Sequence, residues 1–393
     1  MFWLYTDFSL SSLFQVQKLA SRSRLTRAQK PQRLLGGLLC LFLSLCVLTA
    51  CRQSKPTPIP VSTSETLVLY NWPDYMPQTV LDAFTAEYGI KVDYQMYGAQ
   101  KEAVDNMQAG KIYDVVVIDN DLIPLLITKH LLAEIEMSHL SNFKNISANF
   151  RDLAYDPGNK YTVPFNWGTT GLLVRRDLLP NPITRWADLW DKRYAGKVGI
   201  WPLQRPLLPI ALKRLGYSVN SEKPAELEKA LQSLIELKQN VIFVSLDQGS
   251  VGPTLISGKA ILAYGWAYDA LTSQPQNKNI EYILPHEGTI LWGDNLVIPA
   301  NSPHKEAAEL FINFILRPEN GGKIVNELYY ANANGAAQPF IKPEILNNPM
   351  VFPPSADLKN AEIMMSPSPA GQKLYDDIWK RFLEANPVGP ASQ

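Results

Sequence analysis

Between Leu67 and Ile118 the apolar residues switch repeatedly between strand and helix spacing, and few folds accommodate that. "LVLYN" (67–71) opens as a strand. Val80, Leu81, Phe84 and Tyr88 then recur at helical intervals until Gly89 stops the helix. "IKVDYQMY" (90–97) alternates as a strand does, and "KEAVDNMQAGK" reads as a short helix ending at Gly110. "YDVVVI" (113–118) is a continuous apolar run of the kind buried on both faces. Strand, helix, strand, helix, strand in so short a span predicts a parallel sheet within an α/β fold. Ligands on such sheets bind beyond the carboxyl ends of the strands. Trp72 to Tyr75 follow the first strand and Asp119, Asn120 and Asp121 follow the third, so both groups are expected on one rim.

A second α/β unit follows. "KVGIW" (197–201) precedes a helix at Leu207 to Leu215, and "PAELEKALQSLIELKQ" (224–239) places Leu227, Ala230, Leu231, Leu234 and Leu237 on one helical face. "VIFV" is followed by a helix near Thr254 to Ser257 and by the strand "AILAYGW", which ends on Trp266. "NLVIPA" (295–300) reads as another strand and "PHKEAAELFINFILRP" (303–318) as a helix.

The amino terminus has the order of a secretory signal. Lys18, Arg22, Arg24, Arg27, Lys30 and Arg33 precede the apolar run from Leu34 to Cys51. That run is short for a membrane span, which needs about 20 apolar residues. Leu48-Thr49-Ala50-Cys51 resembles a bacterial lipobox, which implies cleavage before Cys51 and a lipid on its sulfur; a retained membrane anchor is the alternative. Cys40 and Cys46 would leave with the signal, so the exported chain would have no disulfide and would hold together by its core. "RQSKPTPIPVSTSE" reads as a tether. Without residues 1–50 the chain carries 31 Lys and Arg against 36 Asp and Glu, and no basic block suggests nucleic acid.

The sequence carries no catalytic pattern. His130, His139, His286 and His304 lie far apart, "GSVG" (249–252) lacks the spacing of a nucleophile elbow, and no phosphate-cradling glycine loop occurs. Neither an enzyme nor a metal or other cofactor is expected. What recurs is an aromatic residue beside a carboxylate after an apolar strand: "NWPDY" (71–75), "GWAYD" (265–269) and "LWGD" (291–294), with "YYANAN" (329–334) as a further aromatic site. Indole faces attract ammonium groups by about 0.5–2 kcal/mol each. A carboxylate bonded to an ammonium adds about 1.5–3 kcal/mol.

From about Leu67 to Leu383 the chain resembles the bacterial periplasmic spermidine/putrescine-binding proteins of ABC importers. "YNWPDY", "YDVVVI", "YTVPFNWGTTG", "WADLW", "LKRLGY", "GWAYD", "LWGDNLVIPA", "NFILRPENG" and "YYANANGAA" carry the resemblance. It implies the two-lobed periplasmic-binding-protein type II fold, with hinge-connected lobes that close on a linear polyamine in the cleft between them. Lobe 1 would comprise residues 65–168 and 294–335, lobe 2 residues 169–293, with 336–393 a helical segment packed on the lobes; 1–50 would be the signal and 51–64 the tether. By resemblance Trp72, Asp74, Trp266, Asp269, Trp292, Asp294 and Tyr330 fall on ligand-contacting positions. Asp119 and Asp121 fall where relatives carry small hydroxyl or aromatic contacts. The implied partners are an ABC permease and its ATPase, with the protein a lipid-anchored periplasmic monomer.

Two departures bear on the ligand. Relatives place a carboxylate before the "LGY" helix, whereas "WPLQRPLLPIALKRLGY" (201–217) has no acid and contains Arg205; the amide of spermidine-type relatives is matched by "EIMMS", with Met364 and Met365. Asp119 and Asp121 could supply the charge instead, or could cap the helix at Leu122. Polyamine capture is the expected function. Another small cation (agmatine or a basic amino acid) and an exported hydrolase using the aspartates are the alternatives.

Overall fold

The computed structural model describes residues 66–245 and 248–386. The expected signal, the tether, Cys51 and the last residues of the carboxyl-terminal segment lie outside the described residues. The chain opens β1 (Thr66–Asn71), α1 (Gln78–Tyr88), β2 (Lys91–Met96), α2 (Gln100–Gln108), β3 (Val115–Asp119) and α3 (Ile123–Thr128). After β4 (Thr162–Arg175) come β5 (Val198–Ile200), α4 (Gln204–Arg214), α5 (Pro224–Leu237), β6 (Val241–Phe243), α6 (Gly252–Ile256), β7 (Leu262–Trp266) and α7 (Ala267–Ser273). Then follow β8 (Ile280–Ile283), β9 (Ile290–Val297), α8 (Lys305–Ile315), α9 (Pro318–Leu328), β10 (Ala331–Asn332), α10 (Pro343–Leu346), β11 (Glu362–Ile363) and α11 (Pro369–Glu384).

The opening alternation folds as its spacing requires. β1 pairs in parallel with β2 and β3, and Gly89 ends α1 at a left-handed φ of 73°, its amide donating to the Thr85 carbonyl at 2.8 Å. β5 likewise pairs in parallel with β6 and β7. Between these parallel sets run β9 and β4, antiparallel to each other; β9 is also antiparallel to β3, and β4 to β7. The sheet is therefore mixed, in the order β2-β1-β3-β9-β4-β7-β5-β6.

β4 and β9 each serve two cores. Val163 and Phe165 of β4 and Leu296 of β9 pack with Leu67, Leu69, Phe84 and Phe311. Leu172, Leu173 and Val174 of β4 and Ile290 of β9 pack instead with Trp186, Ile200 and Tyr264. The five apolar positions read on α5 are all buried in this second core, each leucine contributing about 2 kcal/mol, and α11 adds Tyr375, Ile378 and Phe382. The lobe boundaries expected at 168/169 and 293/294 fall inside β4 and β9.

One expectation is corrected. Trp292 and Asp294 do not follow a strand that ends before a second begins at Asn295. They lie within the single strand β9, paired with β4 on one side and β3 on the other. Polar residues interrupt the apolar pattern there because the middle of β9 lines the site described next.

Candidate functional site

The turn leaving β1 is held by its own polar groups. Asn71 is buried; its side chain accepts from the Trp72 amide at 2.8 Å and donates to the Tyr75 carbonyl at 3.3 Å. The Tyr94 hydroxyl donates to the Trp72 carbonyl and accepts from the Tyr75 amide at 3.2 Å. Asp74 takes a left-handed φ of 52°, a conformation Asp tolerates better than most residues, and is exposed with Pro73. Trp72 is half-buried, its ring 4.6 Å from that of Tyr97. Tyr75 is buried and its hydroxyl donates to Asp294 Oδ2 at 2.7 Å.

Asp119 ends β3 directly opposite Asp294 in the antiparallel ladder with β9. Asn120 ties the two strands, its amide donating to the Gly293 carbonyl at 2.8 Å and its side-chain oxygen accepting from the Gly293 amide at 3.0 Å. Its side-chain nitrogen donates to the Met364 carbonyl. Asp121 is buried and paired with Arg205 of α4, Oδ2 to Nε 3.2 Å. Neither aspartate caps α3, whose cap residue Leu122 receives no side-chain bond.

Trp292 and Asp294 share a face of β9 because they are two residues apart. The indole packs on β4 at Gly168, where an added Cβ would come within 2.4 Å of the ring. Tyr330 stands edge-on to Trp292 (centroids 5.6 Å, 79°), near-parallel to Tyr268 (5.6 Å, 23°) and tilted on Tyr75 (5.2 Å). Asp269 is buried at the start of α7, where it accepts from the Trp266 amide at 2.9 Å, the Val251 amide at 3.2 Å and the Ser250 hydroxyl. Trp266 packs against the second core.

The fold thus brings Asp119, Asp121, Asp294, Trp292 and Tyr330 together, adjoined by Trp72 through Tyr97. Asp269 is occupied by three protein donors and Asp121 by Arg205. Three participants escaped the sequence reading. Tyr75 and Tyr268 sat inside quoted aromatic–acid stretches, where position alone could have flagged them. Arg205 stood out only as a cation in a segment lacking acids.

Burial pushes the Asp294 carboxyl above its ordinary range. Burial and then the Asp294 charge push Asp119 well above it. Asp121 is also raised by burial, against the opposing pull of Arg205. The Tyr75 phenol is driven far up by burial and by Asp294. Buried carboxylates exceed buried cations here, so the site is poised to accept positive charge. Among the described residues no cluster of three or more His, Cys, Asp or Glu could hold a metal ion.

Residues 79–353 match the family described as bacterial extracellular solute-binding protein. The chain is a bacterial extracellular solute-binding protein. Among curated relatives of this solute-binding protein, the spermidine/putrescine-binding periplasmic protein of Escherichia coli (strain K12) is 32% identical over 322 residues, covering 81% of this chain and 92% of that one. The putrescine/agmatine-binding protein of Pseudomonas aeruginosa is 31% identical over 304 residues, covering 72% and 82%. The solved spermidine/putrescine ABC transporter substrate-binding protein PotD of Streptococcus pneumoniae superposes with a TM-score of 0.73 at 28% identity, covering 81% of this chain and 99% of that one. The fold is accordingly the two-lobed one of periplasmic binding proteins, and the relatives are transport proteins. No described helix is long and apolar enough to cross a membrane.

Proposed function

We propose that this solute-binding protein captures a linear polyamine of the putrescine or spermidine class and delivers it to an ABC permease, whose ATPase supplies the energy. The observation that carries this reading is the cross-strand pair of half-buried Asp119 and buried Asp294 beside the rings of Trp292 and Tyr330. Carboxylates without a protein cation attract an ammonium, and aromatic faces suit its methylene stems. Trp72, Asp74 and Trp266 complete the proposed cage from the two strand ends, with Asp269 holding the Trp266 backbone in place. Two or three such contacts of each kind, less the cost of ordering a flexible guest, correspond to about micromolar affinity. β4 and β9 are the proposed hinges, since each feeds both cores, and closure is a population shift favoured by a guest touching both lobes. The protein works without a cofactor, as a monomer held to a membrane by lipid on Cys51. The Pseudomonas relative makes agmatine the nearest alternative guest.

Thermal unfolding in the presence of putrescine, spermidine, spermine, agmatine, lysine and a neutral sugar tests the assignment. A ligand at a hundred times its Kd stabilises by about 2.7 kcal/mol, so the true guest raises Tm by several degrees. The sugar leaves Tm unchanged. A Tm unmoved by every amine refutes the cationic assignment.

A further inference from the structure

Asp119 and Asp294 stand directly opposite each other across the β3–β9 ladder, so their side chains leave one face of the sheet with Cβ atoms about 5 Å apart. Two carboxyls held that close can bond to each other only with a proton between them. Asp294 is 4% exposed; its Oδ2 is taken by the Tyr75 hydroxyl, and Asp119 aside, its Oδ1 has no partner among the described residues. The ionisable groups facing the pair are Tyr75 from the β1–α1 turn, Tyr97 after β2, Asp121 after β3, Arg205 of α4 and Tyr330 after α9. The three phenols stay neutral at pH 7, burial driving their ionisation further up. The facing cation, Arg205, is bonded to Asp121.

We propose that Asp119 and Asp294 act as one diacid seat for a primary ammonium: the empty pair holds a single proton between its carboxyls, and the guest ammonium displaces that proton to solvent. Two acids so close hold a shared proton above the ordinary carboxylate range, because their like charges repel through a poor dielectric. A primary ammonium brings three donors and a full positive charge, enough to satisfy Asp294 Oδ1 and to let both acids ionise. Alkylamines carry pKa values of about 10, so the guest arrives charged and the expelled proton comes from the protein. We rest this seat on the cation-binding function proposed above and add to it a proton exchange.

Calorimetric titration of the whole chain with putrescine at pH 7, in buffers of low and of high ionisation enthalpy, reads the exchange directly. The expected result is release of about one proton per putrescine bound. In Asp119→Asn putrescine binds more weakly, and the release per putrescine bound falls close to zero. Binding by the wild-type protein without proton release overturns the seat, as does an unchanged release in Asp119→Asn. The wild-type measurement stands even if the variant folds poorly. Absence of binding heat from putrescine, spermidine and agmatine alike defeats the cation-binding function itself, and the seat with it.

Discussion

Arg205 reaches from α4 to Asp121 beyond β3, Nε to Oδ2 at 3.2 Å, joining the second core's helix to the first core's strand end. Its Nη2 donates to the Met365 carbonyl at 2.7 Å, and its guanidinium lies 5.5 Å from the Tyr375 ring centroid. Both partners are largely buried. The pair ties the two cores together at one end of the carboxylate cluster and removes Asp121 from the charge available to a guest.

Breaking that bridge from one side strands a buried charge. Arg205→Ala is expected to lower stability by about 3 kcal/mol, read as a fall in the urea midpoint. The double variant Asp121→Asn with Arg205→Ala recovers part of the loss. Additive single and double losses would show that the two side chains do not interact.

Tyr75→Phe removes the hydroxyl on Asp294 Oδ2 and nothing else of the ring's packing. Loss of a bond to a charged group costs about 1.5–3 kcal/mol. Amine affinity by calorimetry is therefore expected to drop by about tenfold or more, and an undiminished affinity contradicts a role for this hydroxyl.

Gly168→Ala puts a methyl where the Trp292 ring lies, 2.4 Å from its nearest atom. The indole must tilt away from β4, so the variant is expected to fold and to bind amines at least about tenfold more weakly. The check is calorimetry alongside tryptophan fluorescence. Equal affinity and an unaltered spectrum would mean that the ring is not held as described.

Stability should also carry the signature of the raised carboxyls. Asp119 and Asp294 have folded-state values above their unfolded ones, so the empty folded protein holds more protons there than the unfolded chain does. Their contribution is fully present below the unfolded carboxylate pKa of about 4 and is lost as pH rises through the folded values. Glu87, Asp177 and Glu228 are lowered by their arginine partners and act in the opposite sense, so the comparison must be with a variant. From pH 5 to pH 8 the wild-type protein is expected to lose stability relative to Asp294→Asn in denaturant melts. A constant difference between the two would contradict the raised values.

The sequence made the outer, parallel parts of the sheet legible because β1 and β3 are apolar runs, the edge strand β2 alternates, and Gly89 punctuates the first helix. β4 was opaque: buried on both faces yet carrying Asn166, Thr169 and Thr170, it shows neither alternation nor a clean apolar run. β9 was misjudged for the same reason, its Asp294 and Asn295 being buried polar residues that a strand tolerates only where they have partners. In the site, Trp292, Tyr330 and Asp294 were legible as residue types. The contact of Tyr75 with Asp294 joins residues 219 apart in sequence, and the Arg205–Asp121 bridge joins residues 84 apart, so no local pattern announces either. Asp269 carried a readable signal, since a carboxylate three residues after Trp266 at a strand end has capping-box spacing.

A crystal structure of the protein with putrescine tests the central claim most directly. One terminal nitrogen is expected within hydrogen-bonding distance of both Asp119 and Asp294, with the methylene chain against Trp292 and Tyr330. Putrescine seated elsewhere, with no nitrogen on either of those two carboxyls, would contradict it.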